Sequence, residues 1–129
     1  LAMTSKLDVL RPKIEAEEEA WVTTFRPDGS QARVPVWFAL GRSKVYILTD
    51  RSTKKAANLR RDRRVELAFG SRESRRRLKG RAGLSRSRSR VAWFMKQVWA
   101  KYGKPYRRWV KGMEDYAYDT GVLIIVTPE

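Results

Sequence analysis

Cysteine and histidine, two residue types that carry much enzyme chemistry, are missing altogether. Their absence removes Cys/His zinc sites, thiol nucleophiles, Ser-His-Asp triads and histidine general bases together. Any reaction must therefore lean on a bound cofactor or on carboxylates and amines. Long apolar runs are missing too: nothing approaches the roughly 20 residues of a membrane span, and no charged-then-apolar leader opens the chain. The expectation is a cytoplasmic protein with no membrane partner. Acids are scarce, 14 Asp and Glu against 29 Lys and Arg, which leaves a net charge of +15. Such a chain favours anionic partners, whether nucleic acid, phosphorylated small molecules, polyacids or membrane surfaces, and charge alone does not choose among them.

What is present reads as one domain over residues 1–129, with room for a single core. "LDVLRPKIEAEEEA" (7–20) suggests an acidic N-terminal helix beginning near Pro12, since proline suits the first helical position. From Trp21 the pattern becomes strands. "WVTTF", the turn residues Pro27-Asp28-Gly29 and "QARVPVWFAL" form a β-hairpin, with Ala32, Val34, Val36, Phe38 and Leu40 alternating onto one face. "KVYILTD" and "RVELAFG" supply two more strands around a short helix, and "RRRLKGRAGLS" makes a fifth with a basic outer face. Val91, Phe94, Met95, Val98, Trp99 and Tyr102 fall at helical offsets that Gly103 and Pro105 terminate. Tyr106, Trp109, Val110 and Met113 repeat that spacing, and "GVLIIVTP" closes the chain as a strand, central or at a subunit contact. The pattern predicts a small β-barrel or rolled sheet with helical additions, or else an open α+β sheet.

The charge is local. Residues 51–90 hold sixteen Lys and Arg against three Asp and Glu, thirteen of the fifteen net positive charges. The run "SRESRRRLKGRAGLSRSRSR" reads either as a nucleic-acid-binding segment or as a solvated basic surface. "TDRSTKKAANLRRD" (49–62) is more specific. Ser52 or Thr53 caps a helix, yet Arg51, Lys54 and Lys55 crowd its start, where the macrodipole is already positive and acids normally sit. A helix N-terminus with a hydroxyl cap and adjacent cations makes a compact phosphate site. The alternative is that Lys54 and Lys55 point into screened solvent.

The order "WVTTFRPDGSQARVPVWFAL…KVYILTDRSTKKAANLRRDRRVELAF…LKGRAGL" resembles the split-barrel flavin-binding superfamily of the pyridoxamine 5′-phosphate oxidase type. Within it, the branch of deazaflavin (coenzyme F420)-dependent oxidoreductases is the more similar. The resemblance covers about residues 20 to 84 and extends to the closing "KYG" and "VTPE". It implies a mainly β (α+β) FMN-binding split β-barrel of about six strands. A short helix would follow the third strand, residues 1–20 would form an N-terminal helical extension, and 85–118 a helical insertion before the last strand. It also implies that Pro35, Val36 and Trp37 lie beside a flavin or deazaflavin ring. Thr53 and Lys55, with Leu59 as the following buried residue, would be phosphate ligands, with Arg51 and Lys54 nearby and Thr49 at the strand end. Two departures stand out: Asp62 is followed by Arg63 where the family has proline, and Phe38-Ala39-Leu40 stand where pyridoxamine phosphate oxidases carry a basic pair. The second speaks against pyridoxamine phosphate oxidation.

Coenzyme F420 carries a phosphodiester and an oligoglutamate tail, whereas FMN ends at one phosphate. A basic groove beyond the phosphate site suits the former, and Lys79 and Arg81 of the fifth strand are candidates for it, with plain solvation as their other reading. The function implied is hydride transfer between deazaflavin and a small organic substrate, by a homodimer with the ring near the subunit interface. The same resemblance leaves open FMN as cofactor, or a carrier of flavin without turnover. A haem-binding split barrel would need an axial ligand other than histidine. A rival from another class is a basic β-barrel that binds nucleic acid through the Arg-rich strand and aromatic platforms.

Overall fold

A computed structural model describes residues 4–129. The order is α1 (Lys6–Ile14), β1 (Ala20–Phe25), β2 (Gln31–Val36), β3 (Ala39–Leu40), β4 (Val45–Asp50), α2 (Lys54–Arg61), β5 (Arg64–Phe69), β6 (Arg77–Ser85), α3 (Arg88–Tyr102), α4 (Arg107–Ala117) and β7 (Gly121–Pro128). All strand pairs are antiparallel, in the spatial order β2-β1-β5-β6-β7-β4-β3. This is a curled α+β sheet, a split barrel of seven strands where the sequence predicts about six.

The extra strand comes from residues 31–40, which do not run as one strand. Up to Val36 they pair with β1, and from Ala39 they pair with β4, at the opposite edge of the sheet. One extended stretch thus contributes to both edges, and Trp37-Phe38 is the crossing. The predicted single apolar row fails for the same reason: Phe38 is fully buried, but Val34 on the free edge is 38% exposed. The turn before β2 behaves as its residues demand, with Gly29 at φ +87°, a conformation open chiefly to glycine.

The N-terminal helix also differs from its prediction. It is opened by a capping box, Ser5 accepting from the Asp8 N–H and Asp8 accepting from the Ser5 N–H, so Pro12 lies inside the last turn rather than at the start. The acidic run beyond Ile14 is not helical. Consecutive carboxylates would repel on a helix face, and here they serve separate donors: Glu17 pairs with Arg76, Glu18 accepts from the Tyr106 hydroxyl and Glu19 from the Trp21 indole.

Two apolar clusters lie on opposite faces of the sheet. Val22, Leu67, Leu78, Ile47, Ile124 and Val126 pack inside the curl with Leu7 and Ile14 of α1 and Leu59 of α2. Leu48 and Leu123 pack outside it against Val91, Phe94, Met95 and Val98 of α3 and Val110 of α4. This explains the unbroken apolar run of β7, a central strand whose alternate residues enter different clusters. On α4 the inward stripe is Tyr106, Val110, Met113 and Ala117, so Trp109, predicted among the apolar positions, stands 72% exposed. The Arg/Ser-rich run is ordered: it forms β6 and the start of α3, and Arg76, Arg77 and Arg86 each donate to backbone carbonyls. Among the described residues no helix is long and apolar enough to cross a membrane.

Candidate functional site

The turn between β4 and α2 is built by its own side chains. The Thr53 N–H donates to the Asp50 carbonyl (3.1 Å), while the Asp50 carboxylate accepts from the Ser52 N–H (2.9 Å) and hydroxyl (2.6 Å) and from Thr120 Oγ1 (2.5 Å). The Ser52 hydroxyl, followed by Thr120, holds the Asp50 carboxyl down at about 2. Thr53 is the N-cap: its Oγ1 accepts from the Ala56 N–H (3.3 Å) and shares a hydrogen bond with Thr49 Oγ1 (3.1 Å). Lys55 Nζ folds back to donate to Thr49 Oγ1 at 3.0 Å.

Lys55 is half-buried, and burial pushes its ammonium below the usual lysine range. The ion pairs among the described residues are Arg64–Asp62, Arg76–Glu17 and Arg77–Glu66, and Lys55 joins none of them. A desolvated charge without a counter-ion is unfavourable. This one sits at the positive end of a helix whose first turn contains no acid, which adds to the cost.

Beside it runs a groove of about 520 Å³ between α2 and the β1–β2 hairpin. Thr53, Lys54, Lys55, Asn58 and Arg61 line one side; Thr24, Arg26, Ala32, Arg33 and Val34 line the other. Five of these residues are cationic and none is acidic. Asn58 is buried and ties the helix to the hairpin by donating to Thr24 Oγ1 at 3.1 Å, and Arg61 donates to the Phe25 carbonyl. Because β2 is an edge strand, part of its backbone has no strand partner.

The structure therefore gathers Thr49, Thr53, Lys54 and Lys55 at one point. Val36 and Trp37 border an apolar cavity of about 410 Å³ that shares no lining residue with the groove, with Leu48 and α4 as its other walls. Pro35 is exposed on β2 opposite Trp21, a position that tolerates its missing N–H. Arg51 is exposed and does not line the groove; its carbonyl accepts from Arg60 at 3.0 Å. Lys79 stands apart, exposed on β6 opposite Glu66, and no β6 residue lines the groove. The sequence reading missed Arg26, Arg33, Asn58 and Arg61. Helical spacing from Lys54 through Ala57, Asn58 and Arg61 was the signal for the last two; Arg26 and Arg33 had none.

Residues 7–127 match the family described as pyridoxamine 5′-phosphate oxidase. The chain belongs to that family. Solved structures of this split-barrel fold carry varied descriptions at low identity. A conserved hypothetical protein of Mycobacterium tuberculosis superposes with a TM-score of 0.76 at 21% identity, covering 98% of this chain and 82% of that one. A haem storage protein of Vibrio cholerae gives 0.70 at 15% identity, with 93% and 90% covered. A structure described as an F420 reductase gives 0.66 at 17% identity, with 92% of each chain covered. Comparison with curated protein sequences gave no match.

A second half-buried lysine in this family member lies away from the groove. Lys101 Nζ sits 3.8 Å from the centroid of the Phe38 ring, a cation–π contact, and burial pushes its pKa down to about 8 against the opposing pull of Glu17, Glu18 and Glu15. The unfolded chain keeps this proton until about 10.5, so unfolding takes up a proton above about pH 8 and stability rises with pH in that window. The buried tyrosines, raised above the unfolded value of 10.0, oppose this rise as the pH approaches that value, equally in parent and variant. Lys101→Met should flatten the rise in urea midpoint between about pH 8 and 9.5. Parallel profiles for parent and variant would contradict it.

Proposed function

We propose that this protein is an oxidoreductase that holds the deazaflavin coenzyme F420 in the groove beside α2 and reduces a small organic molecule. The carrying observation is Lys55, a half-buried ammonium with no carboxylate partner at a helix N-terminus, one of five cations that line a groove with no acid. These residues fit an anion, because a phosphate there would turn an unfavourable concentration of charge into a favourable one. Thr53, Lys54 and Lys55 would hold the phosphate, and Pro35 and Val36 at the end of β2, with Trp37 just after it, would border the ring. When bound, the deazaflavin supplies the hydride, and the chain itself supplies binding, orientation and electrostatics. That division of labour suits a chain with no histidine.

The charge of the groove favours coenzyme F420 over FMN. Arg26, Arg33 and Arg61 add three cations to Lys54 and Lys55 in the lining, which suits a phosphodiester followed by carboxylates better than one terminal phosphate. The likeness to an F420 reductase supports the same reading. The test is separate fluorescence titration of the purified protein with coenzyme F420 and with FMN. Tighter binding of coenzyme F420, weakened by added salt, is the expected result. Equal or stronger binding of FMN, or preferential binding of an oligonucleotide with no affinity for either cofactor, would overturn it.

A further inference from the structure

Gly112 has no structural reason to be glycine. It lies in the interior of α4, where glycine destabilises a helix relative to alanine, and a Cβ added there would meet no atom within 4 Å. Gly29, the other glycine with open space around it, needs its positive φ; Gly41, Gly80, Gly103 and Gly121 each have an atom within about 2.5 Å of a built Cβ. Gly112 does line the apolar cavity bordered by Val36 and Trp37. Trp109, Gly112, Met113 and Tyr116 fall at offsets of 3, 4 and 7, so one face of α4 forms a wall opposite Val36, Trp37 and Leu48. Trp109 at the rim is 72% exposed, and Trp37 across the cavity is held by stacking on Tyr102 at 4.3 Å.

We propose that this cavity binds a flat conjugated molecule of one or two fused rings carrying one anionic group, its face lying on the Gly112 gap beside Trp109. The volume of about 410 Å³ suits a ligand of that size. Indole, phenol and thioether side chains suit a π-face. Among the described residues Arg108 is exposed, joins no ion pair and is the one charged residue lining the cavity, so it selects a single negative substituent. Because Val36 and Trp37 belong to both this cavity and the segment assigned to the cofactor ring, the ligand is the substrate class of the proposed enzyme. That last identification rests on the proposed function, whereas the cavity and its preference do not.

The probe is 2-naphthoate, titrated into the full chain without cofactor and followed by the indole N–H signals of its five tryptophans in proton–nitrogen NMR. Saturable shifts of Trp37 and Trp109, with Trp21 unmoved, are expected. Gly112→Ala should raise the melting temperature by about 2–5 °C through helix propensity, while a methyl group on the cavity floor weakens 2-naphthoate roughly tenfold or more. Arg108→Gln should weaken 2-naphthoate and leave the neutral 2-naphthalenemethanol unaffected. Unchanged affinity in Gly112→Ala, or no saturable shift in the parent, overturns the proposal. So does a parent dimer that Gly112→Leu dissociates in light scattering, since a second copy would then cover the face. Naphthoate binding by a protein that takes neither coenzyme F420 nor FMN would remove the oxidoreductase reading and leave this one standing; the reverse result would do the opposite.

Discussion

Replacing Lys55 with methionine should weaken coenzyme F420 binding by about 10- to 100-fold and, in the ligand-free protein, raise the melting temperature. A hydrogen bond to a charged group contributes about 1.5–3 kcal/mol, and 1.4 kcal/mol corresponds to about tenfold in affinity. The gain in stability comes from the same ammonium. It is half-buried, donates to one hydroxyl and faces further cations in the groove with no acid to neutralise it. Methionine keeps the apolar stem that packs beside Thr49 and removes the charge. Burial lowers the Lys55 pKa, so its penalty is greatest where the lysine is still charged and fades as pH rises toward the unfolded value. The advantage of the variant should accordingly shrink at alkaline pH. Affinity equal to that of the parent, or a lower melting temperature at neutral pH, would detach Lys55 from the proposed site.

Removing Tyr102 should have the largest effect on the fold. Its ring is 1% exposed, stacks on Trp37 at 4.3 Å and 9°, and its hydroxyl donates to the Glu18 carbonyl (2.7 Å) while accepting from the Phe38 N–H (3.3 Å). Burial accordingly pushes the phenol pKa above its usual value. Tyr102→Ala should cost about 3–5 kcal/mol, as for other large buried aromatics. Tyr102→Phe keeps the packing but strands a buried donor and an acceptor, for about 1–3 kcal/mol. Because Phe38 lies where the chain crosses between sheet edges, the Phe variant should also speed hydrogen exchange at Phe38 and flatten the near-ultraviolet dichroism of Trp37. A urea midpoint within error of the parent for Tyr102→Phe would show that the hydroxyl does not pin the crossing.

The site was legible in the sequence where its contacts are local. Thr53 caps α2 because a threonine precedes a helical run, and Thr49, Thr53 and Lys55 meet because the turn between them is short. Lys79 does not line the groove, since alternation says which residues of a strand share a face but not which strands that face lies near. Its row runs through Glu66 of β5 and Thr23 of β1 before it reaches Arg33 at the groove, three strands away. Pro12 and the acidic run misled for a related reason. Proline at a first helical position is a preference, and the Ser5–Asp8 capping box set the start of α1 instead.

The chain by itself determined most of its helices and strands, its local excess of positive charge and the placing of Thr53 and Lys55 at the start of α2, since each follows from neighbours a few residues apart. Only the curl of the sheet decided that residues 31–40 serve two edges, that Arg26 and Arg33 form the far wall of the groove, and that Trp109 and Gly112 overlook Trp37. Those placements join segments up to about eighty residues apart, and local periodicity carries no information about what will lie opposite a face once the barrel closes.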